Sequence, residues 1–103
     1  MTRQAHRLAL GPKKALEQLG ADLRAARLRR RLSATAVAER ARTSRYTLAR
    51  IEKGDAHVSI GIYLSVLNVY GLVGGIGALA DLTADKVGQS LDSARLPKTS
   101  RAR

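Results

Sequence analysis

Residues 32–54 read LSATAVAERARTSRYTLARIEKG, and the punctuation of this stretch decides the fold. Ser33 is a favoured N-cap, because its hydroxyl can accept one of the backbone N–H groups that a first helical turn leaves without a partner. A short helix follows, with Val37, Ala38 and Ala41 on one face. Thr43 and Ser44 interrupt the pattern, and Ser44 caps a further helix in which Leu48 and Ile51 face inward at i, i+3. Gly54 stops that helix as the residue just past its end, where glycine adopts a left-handed conformation without a Cβ clash. Two short helices with a break of three or four residues make a helix-turn-helix. Ala38 falls where the two helices cross, and a larger side chain there would push them apart. Leu32, Val37, Leu48 and Ile51 supply the apolar wedge that fixes the crossing.

Working outward, Pro12 suits the start of a helix, where its missing N–H has no consequence. Leu16, Leu19, Leu23 and Ala26 then recur at helical spacing, which predicts one amphipathic helix to about Arg31. Residues 1–11 read as a flexible basic arm ending at Gly11. Downstream, Asp55 to Val58 form a loop, Ser59 caps a fourth helix over Ile60 to Tyr70, and Gly71 closes it. A fifth short helix is predicted from about Gly75 to Asp81. Residues 83–94 are ambiguous, with room for another turn or two, and residues 95–103 read as a basic, disordered tail. The predicted organisation is an arm (1–11), an all-α domain (12–82) and a C-terminal extension (83–103).

Composition agrees with one small helical core. The chain has 103 residues, 45% apolar, with three Tyr and no Phe or Trp, so the core must be aliphatic. The net charge of +11 is uneven: residues 1–31 carry nine basic against two acidic groups, and residues 55–103 carry five against four. Such a basic N-terminal half on a short chain favours a polyanionic partner. The absence of Cys excludes disulfides and thiolate metal sites and suits a reducing cytoplasm, the expected location. No apolar run approaches the ~20 residues of a membrane span, and no signal-peptide core is present at the N-terminus. His6 and His57 lack ligand spacing. No nucleophile–base set, phosphate loop or paired carboxylate stands out, so no catalytic residue, metal or cofactor is expected.

The combined spacing of Leu32-Ser33, Val37-Ala38, Ala41, Ser44, Leu48, Ile51-Glu52 and Gly54 resembles the Cro/C1 repressor family, also called XRE-type helix-turn-helix proteins. The resemblance extends from Leu19 to Leu72. It implies a five-helix, lambda-repressor-like domain that binds a double-stranded DNA operator. It also implies base-reading positions at Ser44, Arg45, Tyr46 and Arg50, with Arg45 foremost because arginine can bond a guanine edge through two parallel hydrogen bonds. Phosphate contacts are expected from Ser33, Thr35, Thr47, Arg29, Arg30, Arg31 and Lys53. In the family a Gln often follows the cap of the second helix; here Ala34 stands instead, and the Ser33 and Thr35 hydroxyls with Arg29-Arg30-Arg31 are the substitutes. The resemblance further implies that Glu52 is a structural acid paired with Arg27.

The fourth helix is apolar on more than one face. That surplus either completes a small core or forms a homodimer interface, and we expect the latter, through Ile62, Val66, Val69, Tyr70, Val73 and Ile76. Residues Ser59-Ile60-Gly61, Tyr63-Leu64, Val66-Leu67, Leu79-Ala80-Asp81, Asp85, Gly88, Leu91 and Arg95-Leu96-Pro97-Lys98 look like those of HipB-type antitoxins, which pair with a HipA-like kinase toxin. The resemblance thus implies a repressor that is also an antitoxin. A stand-alone repressor is the nearer alternative, and a basic RNA-binding protein the more distant one.

Overall fold

The computed structural model describes residues 7–95, and among them it is all-helical, without strands. The elements are α1 (Leu10–Arg29), α2 (Ala34–Arg40), α3 (Arg45–Glu52), α4 (Ile60–Val69), a 3-10 helix (Val73–Ala78) and α5 (Lys86–Arg95). The chain divides into two compact units, with the break between Val73 and Gly74. Most of the expected basic arm, residues 1–6, and the basic tail from residue 96 lie outside the described residues. No helix among the described residues is long and apolar enough to cross a membrane.

The serine caps hold the helix starts. Ser33 Oγ accepts the Ala36 N–H at 3.0 Å, Ser44 Oγ accepts the Thr47 N–H at 3.0 Å, and Ser59 Oγ accepts the Ile62 N–H at 3.3 Å. The ends of α1 to α4 share one device. The second residue past each cap returns its N–H to a carbonyl five residues back: Leu32 to Arg27, Thr43 to Ala38, Asp55 to Arg50 and Leu72 to Leu67. That bond requires a left-handed residue in between. Gly54 and Gly71 take it at φ 74, whereas Arg31 (φ 53) and Arg42 (φ 59) take it despite their Cβ atoms.

Two expected boundaries move for physical reasons. Helix α1 begins at Leu10 and takes Gly11 and Pro12 into its first turn, because no N–H in that turn needs an intrahelical partner. It ends at Arg29, two residues earlier than expected, because Arg31 has already turned left-handed. The predicted fifth helix over 75–81 is instead the 3-10 helix Val73–Ala78, whose three glycines disfavour a regular α-helix. The ambiguous stretch holds α5, opened by the Asp85 carboxylate accepting the Gly88 N–H at 2.9 Å.

The core lies in the first unit. It consists of Leu23 and Ala26 from α1, Val37, Ala38 and Ala41 from α2 and its cap, Leu48 and Ile51 from α3, Val58, and Tyr63, Val66, Leu67 and Tyr70 from α4 and its cap. This corrects part of the expected dimer surface. Val66 is 0% and Tyr70 6% exposed, so both are used up inside one protomer. Ile62, Val69, Val73 and Ile76 are half-buried. The aliphatic surplus of α4 therefore goes first to its own core, where α4 packs against α2.

Helix α3 is fixed against α1 at two levels. A Cβ built on Gly20 would stand 2.6 Å from Gly54 N and 2.6 Å from Ile51 O, so the two backbones touch with nothing between them. Two turns along α1, Arg27 donates from Nε to Glu52 Oε2 at 2.8 Å and from Nη2 to Glu52 Oε1 at 3.0 Å, while Nη1 reaches Leu32 O at 3.2 Å. This fork-to-fork pair is nearly closed to solvent, with side chains 13% and 8% exposed, and raises the Arg27 pKa above its ordinary value. On the other side, Tyr63 Oη donates to Asp55 O at 2.7 Å and pins the loop after α3 to α4.

Two predictions test this framework. Propensity alone would make Gly20→Ala stabilising by about 1 kcal/mol, but the backbone contact makes it destabilising by roughly 1–3 kcal/mol or more; urea melts give the sign. Burial pushes the Tyr63 phenol up from 10.0 to about 12. Its folded pKa is thus above its unfolded one, so its contribution is complete below pH 10 and is lost as pH rises from 10 to 12. Tyr63→Phe should cost about 1 kcal/mol near neutrality and flatten stability against pH in that alkaline window. The dependence that remains falls to Tyr70, which burial also raises.

Candidate nucleic-acid interface

Helix α3 turns Leu48 and Ile51 into the core and leaves Arg45, Tyr46, Ala49 and Lys53 exposed. Its short length and left-handed exit at Gly54 hold this face on a rigid frame. Arg45 opens the helix just after the Ser44 cap and is exposed. Tyr46 is 72% exposed, although aromatic rings ordinarily seek cover. Arg50, one turn on, lays its guanidinium over the Tyr46 ring at 5.7 Å from the centroid. The structure therefore brings Tyr46 and Arg50 together, with Arg45 one residue from Tyr46 on the same helix.

Of the hydroxyls expected at the interface, those of Ser33, Ser44 and Thr47 already have structural tasks. Ser44 Oγ takes the Thr47 N–H and also donates to Thr47 Oγ1 at 3.1 Å, so the pair forms a closed cap. Ser33 is likewise engaged as the cap of α2, though both Ser33 and Thr35 remain exposed. Among the three consecutive arginines the roles diverge. Arg29 is exposed on the last turn of α1, and Arg31 is exposed in its left-handed position. Arg30 is exposed as well but bonded within the protein: Nη1 donates to Ala26 O at 3.0 Å, Nη2 donates to Tyr70 O at 3.3 Å, and the guanidinium lies over the Tyr70 ring at 5.2 Å. It ties the end of α1 to the end of α4, a task that competes with phosphate contact.

Sequence reasoning missed Asp55. Its Oδ2 accepts from Arg50 Nε at 2.7 Å and its Oδ1 accepts the His57 N–H at 2.7 Å. The Arg50 bond, followed by the His57 one, holds the Asp55 carboxyl below the usual carboxylate range, and the same bond raises Arg50. A signal was present. Around a left-handed Gly54, residues 50 and 55 are brought together by the return bond, so an Arg and an Asp at those positions are placed to pair. No group of three His, Cys, Asp or Glu side chains among the described residues could hold a metal.

Comparison with known families agrees with the geometry. A family model described as a helix-turn-helix domain matches residues 18–76, more than half of the chain and all of α2, α3 and α4. Comparisons with curated proteins and with solved structures return no match. The chain belongs to the helix-turn-helix domain family, with an arrangement consistent with its XRE-type members.

Proposed function

We propose that this chain is a sequence-specific DNA-binding transcriptional repressor that acts as a homodimer on a palindromic operator. The observation that carries the reading is the outer face of α3, where Arg45, Tyr46 and Arg50 stand together on a helix whose opposite face is locked into the core. A helix of this kind fits the major groove, where arginine distinguishes guanine by a bidentate bond worth ~1–3 kcal/mol. Arg29, Arg31, Lys53 and the Ser33, Thr35 and Thr47 hydroxyls supply backbone contacts that position the helix without reading sequence. The charge of +11 supplies the sequence-independent attraction. An RNA-binding platform is disfavoured by the same structure: two of the three tyrosines, Tyr63 and Tyr70, are buried, which leaves Tyr46 alone for base stacking.

A palindromic operator needs two copies, with half-sites about one helical turn, ~34 Å, apart. Ile62, Val69, Val73 and Ile76 remain as the partly open apolar positions of the proposed contact. By itself, the unit beginning at Gly74 carries Leu79, Leu82, Val87 and Leu91, all more than half exposed, as a second apolar surface that a copy of the chain could cover. The resemblance of residues 59–98 to HipB-type antitoxins supports a second role, holding a HipA-like kinase toxin.

Arg45→Ala should leave the melting curve unchanged and bring binding to a selected operator down to that of a scrambled duplex; retained discrimination would remove Arg45 from the reading. Light scattering at micromolar concentration should give a dimer, and Val87→Asp with Leu91→Asp should shift it toward monomer. A strict monomer in the parent chain would refute the homodimer, and an unaffected dimer in the double variant would move the contact back to α4.

A further inference from the structure

We infer that Asp55 is a specificity-determining positioning residue, which sets the Arg50 guanidinium in a fixed reading pose rather than sequestering it. This rests on the proposed base-reading role of α3.

Three features of the geometry carry the inference. First, Asp55 engages Arg50 through Nε, and among the described residues this is the only hydrogen bond of that side chain. The carboxylate thus takes the inner edge of the guanidinium and leaves the outer pair, Nη1 and Nη2, for a ligand. Two parallel donors are what the O6 and N7 acceptors of guanine require. A sequestering acid would be expected to take the fork in both hands, as Glu52 does with Arg27 through Nε and Nη2.

Second, the guanidinium is held on another side by the Tyr46 ring at 5.7 Å, which restricts rotation out of the plane. A long side chain confined beforehand loses less freedom when it binds. Third, Asp55 cannot follow a swinging arginine. Its own N–H returns to Arg50 O at 3.0 Å, its Oδ1 accepts the His57 N–H at 2.7 Å, and its carbonyl accepts from Tyr63 Oη at 2.7 Å. Tyr63 is itself 4% exposed and anchored in the core. The chain of restraint therefore runs from the core through Tyr63 and Asp55 to Arg50.

The acid has a further consequence. By pairing with Arg50, Asp55 offsets part of the positive charge that this arginine presents to phosphate, so Asp55 lowers affinity for every duplex while sharpening preference for one. Loss of the acid should then move the two quantities in opposite directions. A merely structural Asp55 would lower both on removal, and a sequestering Asp55 would raise both.

The experiment is selection from a randomised duplex library with the full chain, followed by titration of the enriched duplex and of a scrambled one. Parent, Asp55→Asn, Arg50→Lys and the double variant are compared, with melting curves for each. Asn keeps an oxygen for the His57 N–H, so the loop is retained. Asp55→Asn should lose about 3–10-fold in preference at the base pair that Arg50→Lys loses, and should bind scrambled duplex more tightly. In the Arg50→Lys background, Asp55→Asn should change preference no further. Unaltered preference in Asp55→Asn, a fall in both affinities, or a rise in both overturns the inference. If Asp55→Asn does not fold, Arg50→Lys decides: a uniform loss with no base pair singled out overturns it. A parent chain that enriches no sequence refutes the proposed function itself, and the inference falls with it.

Discussion

The arrangement depends on one place where two backbones touch. Gly20 in α1 lies directly against Ile51 O and Gly54 N at the end of α3, and Gly54 in turn lies against Glu17 and Leu16. Neither residue can carry a side chain without moving a helix. The close approach lets the Arg27 fork, two turns further along α1, reach both oxygens of Glu52. An ion pair so nearly closed is not in itself a source of net stability, since desolvation offsets much of its attraction. Its value is directional: four donors and acceptors are satisfied in only one orientation of α3 on α1. The outer face of α3 is thereby oriented by groups that lie on its inner side.

The same economy appears at the helix ends. Each of α1 to α4 finishes with a left-handed residue followed by a return bond, and each such end juxtaposes the residues five apart across it. At α4 these are Leu67 and Leu72, at α1 Arg27 and Leu32, and at α3 Arg50 and Asp55. The first arrangement is apolar, the second adds a side-chain bond to the Leu32 carbonyl, and the third forms a half-buried ion pair. One backbone device thus serves packing, orientation and the placing of a charged pair in turn. At Arg31 and Arg42 the left-handed position holds a residue for which that conformation is strained by roughly 1–2 kcal/mol. Glycine would relieve the strain but would remove a cation from each flank of α2.

Much of this is legible in the sequence. Ser33, Ser44 and Ser59 marked their helices because a capping hydroxyl acts over three residues, within the reach of a local pattern. Gly54 and Gly71 marked the ends for the same reason. Legibility failed where the determinant was either backbone or long-range. Gly20 sits inside an amphipathic pattern in which Leu19 is the more conspicuous residue, yet Gly20 makes the contact. Arg31 and Arg42 gave no sign of a turn, since their left-handed conformation is imposed by what surrounds them. Val66 and Tyr70 were apolar enough for a partner surface, and periodicity alone cannot say whether an apolar stripe is covered by its own protomer or by another. The sequence marks Ser44 as a cap, and the same capping bond commits the hydroxyl that the resemblance assigns to base reading.

The arginines show why charge alone does not locate an interface. Fourteen of the nineteen basic residues are Arg, and a chain that needed only a positive field could use Lys as well. Arg27, Arg30 and Arg50 are each bonded within the protein, to a carboxylate, to two carbonyls and to a carboxylate respectively. The planar fork makes this possible, because one edge can be fixed while another edge or a face remains for a second task. Arg27 spends every edge internally, and Arg30 spends both ends and a face. Arg50 alone of the three is fixed by a single nitrogen. A count of cations along α3 would rank Arg45, Arg50 and Lys53 alike. Their bonds separate them into an exposed Arg45, an Arg50 restrained through Nε by Asp55 and an exposed Lys53 at the cap, and under the proposed reading that difference in restraint turns attraction to any polyanion into preference for one sequence.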